Sequence, residues 1–241
     1  MYTKTTINIL ISGLSLLLLI GCKRNDLSTL NDDLAAYYNF NHNVEDHSGN
    51  GNNGTTYGGQ FDNNGAFVFD GSNDYIVVKN NASLNPENEV AISIWFKPVD
   101  FYGIGNNALV IKPFSSHDPP YYQYLLGISG SKGSVRYTFG FSLNVDGEYK
   151  TIGTEANAWQ EGNWYHIVGM YDGKNIKLYV NAVLKNTLTV EGSMNSFDTD
   201  LFFGIQPNLG VPTPGTIDNV RIYNRALHEK EILEIFNIEL K

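Results

Sequence analysis

The feature that most restricts this chain is a pair of β-forming runs joined by a two-residue turn signal. Trp164–Tyr171 leads into Asp172-Gly173, and Asn175–Val180 follows. Gly accepts positive φ without a Cβ clash, so Asp-Gly between two such runs predicts an antiparallel hairpin. The same grammar recurs elsewhere. Ala35–Phe40, Ala66–Phe69, Tyr75–Lys79, Val90–Phe96, Leu109–Lys112 and Gln123–Ile128 are short β-branched or aromatic runs. So are Val135–Leu143, Tyr149–Ile152, Val183–Val190, Leu201–Ile205 and Thr216–Tyr223. In Val90–Phe96 the alternation is clean: Ile92, Ile94 and Phe96 point one way, Ser93 and Trp95 the other. Only one segment has helical spacing, with Leu227, Ile232, Ile235 and Phe236 forming an apolar stripe between Ala226 and about Leu240. The expected fold is all-β: a two-sheet antiparallel jelly-roll sandwich over residues 34–241 with one short C-terminal helix.

Composition narrows the function. Sixteen Lys+Arg stand against 25 Asp+Glu, a formal net charge of -9. Nucleic-acid partners are excluded, because their recognition needs clustered cations to displace counterions. A hydrophobic fraction of 42% supports a buried core and argues against disorder. The 24 Gly and 29 Asn fit a protein of strands and tight turns.

The N-terminus is read separately. Lys4 supplies a positive charge, and Ile7–Ile20 is a mostly apolar run with no charge between Lys4 and Lys23. The run is shorter than the ~20 residues of a membrane-spanning helix and has the form of a signal-peptide core. It ends Leu19-Ile20-Gly21-Cys22, which resembles a bacterial lipobox. The resemblance implies cleavage after residue 21, lipidation (palmitate) of Cys22, and a polar tether over residues 22–33. Cys22 is the only cysteine, so no intrachain disulfide forms. The expected location is the bacterial cell envelope, on the outer membrane or cell surface, held by the N-terminal lipid anchor.

Several segments, taken in order, resemble the LamG-like jelly-roll family within the concanavalin A-like lectin/glucanase superfamily. They are Leu34–Phe40 with Asp46-His47-Ser48-Gly49-Asn50, Phe67–Ile76, Ile92–Pro98, Asn163–Val168 with Leu178–Asn181, and Gly215–Leu227. Two positions depart from the pattern. Ala182 replaces a frequent Gly after Asn181, and Ala disfavours positive φ, so a different turn is expected there. Asn41 replaces a frequent acid after the first strand, which weakens a metal inference at that place.

The resemblance brings glucanases into view, and these need a pair of carboxyl groups roughly 5–5.5 Å apart when retaining. The one near match to their strand-borne acids, Glu229-x-Glu231-x-x-Glu234, falls in the expected helix, where it reads as a solvated face. Glu87 and Glu89 read as loop residues beside Pro86. No G-x-S-x-G elbow is present. His42, Asp46 and His47 match no zinc spacing. The chain is therefore expected not to be an enzyme.

Relatives often hold one Ca²⁺ at the rim of the sandwich. Asp46, Asp70 and Asp218 are the candidate ligands for a structural Ca²⁺; Asp46 and Asp70 equally suit metal-free turns. For ligand binding the candidates are Trp159, outside any clear strand, and His117, Tyr121 and Tyr122, around Pro119-Pro120. Each of these aromatics either binds a ligand or completes the packing, while Trp95 and Trp164 belong to the core. The expected function is that of an exported, lipid-anchored recognition protein, binding a glycan. The alternatives are an adhesion or scaffold module for an extracellular or cell-surface protein, and a divergent glycoside hydrolase.

Overall fold

Side-chain alternation along each strand sorts residues to two faces, and two such sheets pack their apolar faces together. The computed structural model describes residues 27–99, 106–116, 118–130 and 137–241. In chain order the strands are β1 (Leu34–Tyr38), β2 (Gly54–Tyr57), β3 (Gln60–Phe61), β4 (Phe67–Phe69), β5 (Tyr75–Val78) and β6 (Val90–Pro98). Then come β7 (Asn106–Pro113), β8 (Tyr122–Ser129), β9 (Thr138–Val145), β10 (Glu148–Gly153), β11 (Tyr165–Tyr171) and β12 (Asn175–Val180). The last are β13 (Val183–Thr189), β14 (Leu201–Phe203), β15 (Ile205–Gln206), β16 (Val211–Pro212) and β17 (Gly215–Tyr223), followed by the helix α1 (Glu229–Ile238).

One sheet has eight strands in the order β13-β12-β11-β6-β17-β4-β3, with β1 also pairing β17. The other has seven, β10-β9-β8-β7-β14-β5-β2, and β15 with β16 forms a separate ribbon. Strand β17 is central because it pairs β4 with its first residues and β1 with its last. The switch coincides with a bulge between Asp218 and Arg221, where Asn219 takes φ 48.

The main core lies between the sheets. Ile92, Ile94 and Phe96 face into it as the alternation requires, against Leu126, Phe139, Phe141 and Phe203 from the other sheet. A second cluster lies outside the eight-stranded sheet, where Ile232 and Ile235 of α1 and Leu30 of the 3₁₀ turn Leu27–Asn31 cover Ala91, Val168 and Met170. Strand β6 is consequently buried on both faces, apart from a half-buried Lys97.

The expected elements need a few corrections. The first strand stops at Tyr38, because Phe40 adopts φ 51. Leu201–Ile205 is broken by Gly204 at φ 78, which begins the ribbon. Strands β2, β3 and β16 fall outside the expected set: they are short and contain no buried residue, with little apolar pattern. Ala182 does not change its turn. Asn181 and Ala182 take φ 51 and 59, both left-handed, and Val180 still pairs with Val183. Trp164 is not a core residue; it is half-buried, with Lys97 Nζ 5.0 Å from its ring centroid.

Candidate functional site

The two outer faces differ. That of the eight-stranded sheet is sealed by α1 over a polar network. Ser93 Oγ lies 2.7 Å from His166 Nε2, and the imidazole is tilted against Trp95, which stacks on Phe236. Burial, aided by the Arg221 charge, pushes His166 down to about 3. Arg221 donates to Glu239 at 2.7 and 2.9 Å and lies 3.7 Å from the centroid of the Tyr37 ring. Lys241 pairs with Asp218. Burial raises the Glu239 and Asp218 carboxyls, opposed by Arg221 and Lys241 respectively.

Among the described residues no helix covers the outer face of the seven-stranded sheet. Leu126, Ile128, Phe139, Phe141 and Ile152 point inward, so Gly127, Gly140 and Gly153 point outward. These glycines are paired directly: Gly127 with Gly140, and Gly140 with Gly153. They floor a groove of about 170 Å³. Thr138, Ser142 and Thr151 add hydroxyls to its lining, with Ser142 Oγ donating to Thr151 Oγ1 at 2.9 Å. Beside it stand three tyrosines. Tyr121, Tyr122 and Tyr149 have centroids 5.5 to 6.0 Å apart, and Tyr149 Oη lies 3.1 Å from Ser142 Oγ. Tyr122 accepts from Gln206 Nε2 at 2.7 Å, and burial pushes its phenol up to about 12.

A second concavity, of about 390 Å³, lies where β9 begins and β10 has ended. Tyr137 and Trp159 meet edge to face at 4.5 Å, and Asn157, Gln160 and Glu161 complete the lining. Trp159 is only 3% exposed and belongs to the main core, so its ring offers little surface to a ligand.

The predicted site residues thus scatter. Tyr121 and Tyr122 come together, joined by Tyr149; Trp159 lies elsewhere. His117 and Cys22 lie outside the described residues. Asp46 organises its own loop: Oδ1 accepts from the Tyr37 and Ser48 amides at 3.0 and 2.8 Å, and Oδ2 from Ser48 Oγ and the Asn52 amide at 2.8 and 2.9 Å. Asp70 accepts from the Ser72 amide at 2.7 Å in an exposed turn, and Asp218 holds Lys241. Among the described residues no three His, Cys, Asp or Glu side chains are placed to share a metal ion.

Comparison with known proteins adds the family. The pattern of the concanavalin A-like lectin/glucanases superfamily matches residues 70–233. The chain belongs to the concanavalin A-like lectin/glucanase superfamily. Comparison with curated proteins returned no significant match. Among solved structures, this superfamily member resembles the binding domain of Paraclostridial mosquitocidal protein 1, with TM-score 0.68 and 22% identity over 87% of this chain and 53% of that one. It also resembles botulinum neurotoxin type C, which depends upon interaction with two ganglioside molecules to enter cells (TM-score 0.68, 16% identity, 89% of this chain and 53% of that one). A third is the serotype D ligand-binding domain in complex with N-acetylneuraminic acid (TM-score 0.66, 16% identity, 88% and 52%). The chain spans about half the length of these structures, and at such identity they carry the fold alone.

In a superfamily that includes glucanases, the placement of carboxylates matters. Glu231 is not on a solvated face: it is buried, clasped by Arg225 through two 2.8 Å bonds, and accepts from the His228 amide at 2.8 Å. Glu89 accepts from the Ala226 amide at 2.9 Å. These acids serve the helix junction on the eight-stranded side. Among the described residues, none that lines the groove on the other side is a carboxylate.

The glycine row and Tyr149 escaped sequence reasoning. A signal for part of the row was present. A two-residue turn at Asp146-Gly147 pairs Val145 with Glu148 and, five residues further out on each side, Gly140 with Gly153.

Proposed function

We propose that this domain is a non-catalytic glycan-binding module whose contact face is the outer side of the seven-stranded sheet. The observation that carries the reading is the tyrosine cluster Tyr121–Tyr122–Tyr149 standing beside a glycine-floored groove with hydroxyl groups in its lining. Aromatic faces stack on the C–H-rich faces of sugars, and hydroxyls meet sugar hydroxyls. Tyrosines held by one another lose little entropy on binding. The lectin-type family and the sugar-related binding domains among its structural neighbours support the same reading. The test is a glycan array probed with the full chain in detergent. Retention of a glycan that falls at least tenfold with Tyr149→Ala, at unchanged melting temperature, supports the reading. Retention of no glycan refutes it. Trp159→Ala is a poor probe, because that side chain is buried in the core.

The chain is proposed to be exported and held at the cell envelope by acyl groups on Cys22, on the strength of the apolar run Ile7–Ile20 and the lipobox-like Leu19-Ile20-Gly21-Cys22. Metabolic labelling with palmitate tests this: label that survives Cys22→Ser refutes it. One observation favours a second reading, a module that docks a protein. Edge strand β13 exposes Val183, Leu184 and Leu188 at 54, 44 and 37%.

A further inference from the structure

We infer that the turn Leu27–Asn31 and the C-terminal helix α1 form one detachable cap, coupled through Arg225, that opens as a unit while the sandwich stays folded. Three observations converge on it.

The first is the coupling. A guanidinium carries five N–H donors in a fixed fork. All five of those on Arg225 are taken, on both sides of one junction. Nε donates to the Asp32 carbonyl at 2.9 Å and Nη2 to the Thr29 carbonyl at 2.7 Å, which holds the turn. Nη1 and Nη2 each donate to Glu231 at 2.8 Å, which holds the helix, and Nη1 also reaches the Ala226 carbonyl at 3.1 Å. Glu231 accepts from the His228 amide at 2.8 Å as well, so the same carboxylate secures the first turn of α1. One side chain thus ties the two ends of the described chain to each other.

The second is how the apolar contacts divide. Leu30, Leu227, Ile232 and Ile235 are buried, but in a cluster separate from the main core, with Ala91, Val168, Met170 and Tyr223. Lifting the cap therefore leaves Ile92, Ile94 and Phe96 packed against Phe139, Phe141 and Phe203 between the sheets. Four aliphatic side chains must offset the ordering of five residues in the turn and ten in the helix. That balance is narrow, and segments secured by few apolar groups open before the rest of a domain does.

The third is the far end of α1. There Glu239 meets Arg221, Lys241 meets Asp218, and Phe236 stacks on Trp95. The charges of both pairs regain water when the helix lifts, so the pairs hold it far less firmly than their geometry alone implies. Opening bares the outer face of β6 and β11, including Ser93 and His166, which pair across those strands. Access to that face is set by the turn as much as by the helix.

Hydrogen exchange of the full chain in detergent, resolved to single amides over a urea series below the unfolding transition, tests the inference. The probes are the Asp32 amide, which donates to the Thr29 carbonyl at 3.1 Å, the α1 amides from Ile232 to Glu239, and the β8–β9 ladder as reference. In the wild type the turn and the helix should exchange through one common opening, at least about tenfold more often than the ladder. Leu30→Ala alters only the turn and should speed α1 exchange about tenfold; Ile235→Ala alters only the helix and should speed the Asp32 amide equally. In an Arg225→Lys background, where the charge remains and the fork is lost, neither substitution should reach the other segment. Exchange of α1 at the ladder's rate overturns the inference, as does a Leu30→Ala or Ile235→Ala effect confined to its own segment. Coupling that survives Arg225→Lys overturns the role of Arg225. If a variant fails to fold, the wild-type urea series decides alone: one slope shared by turn and helix supports the cap, and two slopes refute it.

Discussion

Replacing His166 with glutamine should remove most of one specific acid sensitivity. The imidazole is fully buried under α1, against Trp95 and Ser93 and near the Arg221 guanidinium. Burial first, and the Arg221 charge second, hold its folded pKa at about 3, against 6.5 for a free histidine. The folded value lies below the unfolded one. As pH falls through 6.5 the unfolded chain takes up a proton that the folded chain refuses. Stability is therefore whole above that pH and is lost progressively towards about pH 3. Between pH 7 and pH 4.5 the loss from this one group is about 3 kcal/mol, at 1.36 kcal/mol per unit. Carboxylates titrate in the same window, so the useful quantity is a difference of differences. Urea unfolding of wild type and His166→Gln at pH 7 and pH 4.5 gives it. Wild type should lose about 3 kcal/mol more than the variant on acidification. Equal losses would mean that the buried ring is charged or hydrated in the folded state, and the reasoning would be wrong.

Ala182→Gly should stabilise the chain by about 1 kcal/mol, because an L-residue held at φ 59 bears left-handed strain that Gly escapes; chemical denaturation measures it. Glu239→Gln should cost about 3 kcal/mol by leaving the Arg221 guanidinium buried without its counter-charge, read by thermal unfolding. Chelation of calcium by EDTA should leave the melting temperature unchanged, since Asp218 already holds Lys241 and Asp46 is saturated by four protein donors; a fall of several degrees would place a metal at these acids after all.

The sequence carried the sheets better than the site. Strand alternation at Ile92, Ile94 and Phe96 is local information, and so is the Asp172-Gly173 turn, which closes with its carboxylate accepting from the Asn175 amide at 2.7 Å. Strand β2 was hidden because Gly54-Thr55-Thr56-Tyr57 lies at a sheet edge and shows no apolar alternation. The groove was hidden for a different reason. Each of Gly127, Gly140 and Gly153 alone reads as a weak spot in a strand, and only their register makes a channel. Tyr121 and Tyr122 were visible as an aromatic pair beside two prolines, but Tyr149 joins them only through the folded sheet. The ion pairs under α1 likewise join residues whose proximity depends on how the helix returns across β17.

The polypeptide comes into this domain through Leu27–Asn31, where the Leu30 carbonyl accepts from Tyr223 Oη at 3.1 Å and the Thr29 carbonyl from Arg225 at 2.7 Å. That point of attachment is on the back of the molecule, the helix-covered side. The turn Leu27–Asn31 and the row of glycines therefore lie on opposite sides of the sandwich, which leaves the glycine face looking outward as a palm does on a wrist.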